Sequence, residues 1–80
     1  MQFAALQVHS AAWRVSRAGS LVATIDLHEE GRSTVVATTV DGTTTNHRFA
    51  TPGAADRFRR DLTDSFACLD CEIEPELRVS

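Results

Sequence analysis

Residues 34–49 read Thr-Val-Val-Ala-Thr-Thr-Val-Asp-Gly-Thr-Thr-Thr-Asn-His-Arg-Phe, β-branched runs on either side of Asp41-Gly42. Both central residues of a type I′ hairpin turn need positive φ, and Asp-Gly supplies that at little cost. The turn pairs Val40 with Thr43, and counting back sets Val36 opposite His47 and Thr34 opposite Phe49. Val36, Val40 and Phe49 then share one face of a sheet.

Working outward, two more turn signals, Arg17-Ala18-Gly19 and Glu30-Gly31, divide the preceding chain into similar β-branched runs. The strands are expected at Phe3 to Ser16, Ser20 to Glu29, Arg32 to Val40 and Thr43 to Ala50. A one-residue slip exchanges the faces of a strand, so register follows from which face stays apolar. A three-residue loop over Arg17 to Gly19 aligns Val15, Trp13 and Ala11 with Leu21, Ala23 and Ile25 and keeps one face apolar. A two-residue Glu30-Gly31 loop aligns Val36 with Ile25 on that same face.

After the fourth strand the apolar period changes from two to three and four. Thr51 offers an N-cap hydroxyl and Pro52 sits at the first helical position. Ala55, Phe58, Leu62, Phe66 and Leu69 form one stripe to cover the sheet, and the opposite side carries Asp56, Arg57, Arg60, Asp61 and Asp64, at spacings that allow i,i+4 ion pairs. Beyond it Cys71, Ile73, Leu77 and Val79 alternate with polar residues, as in a fifth strand, which Pro75 confines to a sheet edge. The fold class is α+β: a four- to five-stranded antiparallel β-meander with one C-terminal amphipathic helix packed on one face, in the order β-β-β-β-α-β, as a single domain over residues 1–80.

Eighty residues hide only about 60% of the surface of the unfolded chain, which leaves no room for a second, catalytic domain. All eight cationic residues are Arg and none is Lys, a usage that suits bidentate recognition and that GC-rich coding also produces. The net charge of -3 works against non-specific attraction to nucleic acid backbones and favours a basic partner. The opening segment MQFAALQV lacks a basic leader region, and no apolar run approaches a membrane span, so a cytoplasmic protein without a membrane partner is expected.

No constellation of residues carries a recognisable chemistry. Cys68-Leu69-Asp70-Cys71 has chelating or redox spacing, but it falls at a helix C-terminus, beside Asp64, Asp70 and Glu72, where the dipole disfavours a thiolate. Two buried structural thiols are expected, with no metal and no cofactor. His28 is placed on the face away from the core, and His9 and His47 on the core face. No nucleophile elbow, phosphate loop or dinucleotide fingerprint occurs, so catalytic residues are not assigned and a non-enzyme is expected.

Two charged groups are the candidate partner-binding residues. Asp70, Glu72, Glu74 and Glu76 alternate, and in an extended segment they project from one face at steps of about 6.6 to 6.8 Å. Such a row fits a basic protein groove, including one that normally holds nucleic acid; a charged edge also guards a sheet against aggregation. Arg57, Arg59 and Arg60 form the one basic cluster, interleaved with Asp56, Asp61 and Asp64. In length, charge and layout the chain resembles the small inhibitors that phages encode against bacterial defence, including anti-CRISPR proteins that occlude nucleic-acid grooves or effector surfaces. That resemblance involves no shared motif and transfers no residue roles. The expected function is a non-enzymatic protein-protein interaction module. A small nucleic-acid-binding or regulatory protein using the Arg cluster is the alternative, and a C-x-x-C metal or redox protein a further one.

Overall fold

The computed structural model of the protein describes residues 11–76, which form one antiparallel sheet and one helix. The strands are β1 (Ala11–Arg17), β2 (Ser20–Glu30), β3 (Ser33–Val40), β4 (Thr43–Phe49) and β5 (Glu72–Glu76), and α1 spans Pro52–Cys68. The sheet order is β4-β3-β2-β1-β5, so the first four strands are a meander and β5 returns to the far edge beside β1. The expected first-strand residues before Ala11, with His9, and the tail residues Leu77 and Val79 lie outside the described residues.

The Asp41-Gly42 hairpin has the register its sequence requires, with Val40 opposite Thr43, Val36 opposite His47 and Thr34 opposite Phe49. Asp41 (φ +52°) and Gly42 (φ +79°) both take left-handed backbone. The other two hairpins each differ from expectation by two residues while keeping their faces. In the second, Glu30 pairs with Ser33 and Leu27, not Ile25, lies opposite Val36. The turn is therefore Gly31-Arg32, with Gly31 at φ +64°: a type II′ turn puts glycine first, and Glu30 is spared a left-handed conformation.

In the first hairpin, Ser20 pairs with Arg17 across a two-residue Ala18-Gly19 turn, with φ +52° and +83°. A β-bulge restores the apolar face: the register shifts between Val15 and Ser16, so that Val15 meets Ala23 and Trp13 meets Ile25, leaving Val22 as the extra residue. Val22 packs against the core, and Leu21, expected there, is 55% exposed.

The core lies between the sheet and α1. Val15, Ile25, Val36 and Ala55 are fully buried, Ala23 nearly so, and Trp13, Leu27, Phe49, Phe58, Leu62, Phe66 and Ile73 pack around them. Each fully buried aliphatic side chain contributes about 1.5–3 kcal/mol relative to exposure. The outer sheet face is not uniformly open, because Ala12 and Val35 on it are also buried.

From β4 to β5 the chain must cross four interstrand gaps, about 19 Å, and 17 helical residues reach about 25 Å, so α1 runs obliquely across the sheet. At its start the Thr51 hydroxyl accepts the Ala54 N–H at 3.2 Å and Pro52 occupies the first turn. Leu69, expected on the buried stripe, is the C-cap and is 59% exposed, because the helix ends at Cys68. The closure is a Schellman motif: the Cys71 N–H donates to the Phe66 carbonyl at 3.1 Å, and the Asp70 N–H to the Ala67 carbonyl at 3.1 Å. The C′ residue is Asp70, at φ +64° where glycine is usual.

Candidate functional site: an acidic sheet edge

Glu72, Glu74 and Glu76 lie in β5, opposite Ser16, Arg14 and Ala12 of β1. By strand alternation their side chains share the outer face, while Ile73 and Pro75 face the helix side opposite Val15 and Trp13. All three glutamates are exposed, and among the described residues none is in an ion pair. Arg14 is the registered neighbour of Glu74, yet no ion pair within 4.0 Å joins them. Pro75 has no N–H to offer a further strand, so β5 presents a blunted edge.

Asp70 does not belong to this row. It sits in the turn before β5 with left-handed backbone, where its role is to end α1. The alternation Asp-x-Glu-x-Glu-x-Glu extends one step further in sequence than the strand does in space.

The basic cluster is taken apart by Asp56. Arg59 donates from Nη2 to Asp56 Oδ1 at 2.7 Å, and Arg60 donates from Nε to Asp56 Oδ2 at 3.0 Å. Arg59 also turns inward over Trp13, with its guanidinium carbon 4.4 Å from the ring centroid, and its side chain is only 18% exposed. The hydrogen bond from Arg59 holds the Asp56 carboxyl below the usual range of an aspartate; desolvation opposes this, and the bond from Arg60 reinforces it. Of the three arginines only Arg57 is without an anionic partner among the described residues. Spacing alone does identify these pairs, since Asp56 precedes Arg59 and Arg60 by three and four positions.

The cysteines are both free, but only Cys71 is half-buried, packed on the core beside Phe66 as the Schellman pattern places it; Cys68, expected to be buried, is exposed on the last helical turn. Among the described residues no three His, Cys, Asp or Glu side chains converge as a metal-ligand set. His28 lies on the outer face and bonds Asp26 Oδ1 through Nδ1 at 3.2 Å. His47 lies on the helix side, its ring 4.6 Å from that of Phe58. Arg48 pairs with Glu30 across the outer face. No helix among the described residues is long and apolar enough to cross a membrane.

Comparison with protein-family models, with curated proteins and with solved structures finds no significant match to this chain.

Proposed function

We propose that this protein is a non-enzymatic binding module that engages a basic surface of a protein partner through its β5 edge. The observation that supports this is the row of three exposed glutamates on one face of that edge strand, none of them in an ion pair among the described residues. A row of like charge at strand spacing steers encounter with an Arg- or Lys-lined groove and sets its register. A groove that normally holds a nucleic acid backbone is lined with cationic residues of that kind, so an inhibitor of the anti-CRISPR type, covering such a groove on an effector, is the specific form we propose. The pairing of Arg59 and Arg60 with Asp56 favours this over direct contact with phosphates.

The test is capture from native host lysate with immobilised wild-type protein and with the triple variant Glu72→Arg, Glu74→Arg, Glu76→Arg. A basic protein retained by the wild type, released by moderate salt and absent from the variant is the expected result. Retention of the same proteins by both baits would refute the role of the row.

A further inference from the structure

The two edges of the sheet are built differently, and the difference points to a second partner. The β5 edge is five residues long, contains proline and carries three glutamates. The β4 edge, Thr43-Thr44-Thr45-Asn46-His47-Arg48-Phe49, is seven residues long, rich in β-branched residues, with no proline, no lysine and no acidic residue. Natural edges exposed to water are normally blunted by such devices, and β4 has only Arg48, already paired with Glu30.

The register tells which backbone groups are free there. The Asp41-Gly42 turn closes on Val40 and Thr43, so the residues of β4 that exchange hydrogen bonds with β3 are Thr43, Thr45, His47 and Phe49. Thr44, Asn46 and Arg48 point their N–H and C=O groups outward, and among the described residues β4 ends the sheet. These three positions are symmetric about Asn46. An antiparallel copy related by a two-fold axis at Asn46 pairs Thr44 with Arg48 of the copy and Asn46 with itself, which satisfies every outward group and sets no like charges directly opposite.

The helix flank near the Phe49 end of this edge carries one cation and one anion. Arg57 and Asp61 border an open cleft of about 430 Å³ floored by Phe49 and Phe58. Two-fold pairing brings an element against its own copy; β4 carries no acidic residue and sets Arg48 opposite Thr44 of the copy, whereas the all-acidic β5 row would repel itself.

We propose that β4 pairs antiparallel with β4 of a second copy of this chain, forming a two-fold dimer with one continuous sheet. The dimer carries an acidic β5 edge at each end. The proposal does not depend on what β5 binds.

Sedimentation analysis across the micromolar range tests it. The wild type is expected at twice the chain mass. Asn46→Pro removes an outward N–H without touching the β3–β4 ladder, and Asn46→Lys sets two cations together at the axis; both are expected at the chain mass with an unchanged circular dichroism spectrum. If the proline variant does not fold, the lysine variant decides. The triple Glu→Arg variant of β5 should remain dimeric. A monomeric wild type overturns the proposal, and so does a folded Asn46→Lys protein that still dimerises.

Discussion

The Arg59 guanidinium lies 4.4 Å from the centre of the Trp13 ring, joining the helix to β1 by a cation-π contact at the margin of the core. Arg59 also donates to Asp56, so the side chain is held on two sides. A desolvated contact of this kind contributes about 2 kcal/mol. Arg59→Ala is therefore expected to lower unfolding free energy by about 1–3 kcal/mol, and Arg59→Lys to restore only part of it, because an ammonium cannot stack and fork at once. Trp13 is the only tryptophan, so its emission reports the loss directly alongside a denaturant titration.

Asp56 connects this contact to pH. Its folded-state pKa is depressed, by the Arg59 bond first and with desolvation opposing, so its contribution is fully present above the unfolded value, near 3.8, and is lost as pH falls through the lower folded value. Asp56→Asn is expected to remove that part of the acid limb and leave a flatter stability profile below pH about 4. Thermal melts of both proteins across the acid range give the comparison; parallel profiles would show that Asp56 is not linked to folding.

Asp70 holds a left-handed position at the helix C-terminus that glycine occupies without strain. Asp70→Gly is expected to stabilise by about 0.5–1 kcal/mol and Asp70→Val to destabilise by more. The same glycine variant leaves Glu72, Glu74 and Glu76 in place, so partner capture should persist, separating the cap from the acidic row.

Thr38 places its hydroxyl on the core face with no hydrogen-bond partner among the described residues. Valine has the same shape without the unsatisfied group, so Thr38→Val is expected to stabilise by about 1 kcal/mol, read as a shift of the urea midpoint at constant slope.

The faces of the sheet were legible in the sequence, and the registers only where turn chemistry was unambiguous. Asp41-Gly42 admits one reading and gave one. Glu30-Gly31 and Arg17-Ala18-Gly19 each misled by two residues: glycine placed first in a type II′ turn moves the loop to Gly31-Arg32, and a bulge at Val22 lets a two-residue turn coexist with an apolar face. A shift of two preserves the alternation, so hydrophobic pattern has no power against it. The charged groups were legible as composition but not as a surface. Asp56 had the spacing to capture Arg59 and Arg60, while the inward turn of Arg59 depends on Trp13, which is remote in sequence. Asp70 continued an alternation whose end was set by helix closure rather than by charge.

The most direct measurement of the proposed binding role is hydrogen exchange of this protein with and without its captured basic partner. Added protection at residues 72–76 and at the facing β1 residues 12–16, abolished by the triple Glu→Arg change, is the predicted result. Protection confined to β4 or to the exposed flank of α1, with β5 exchanging as in the free protein, would contradict it.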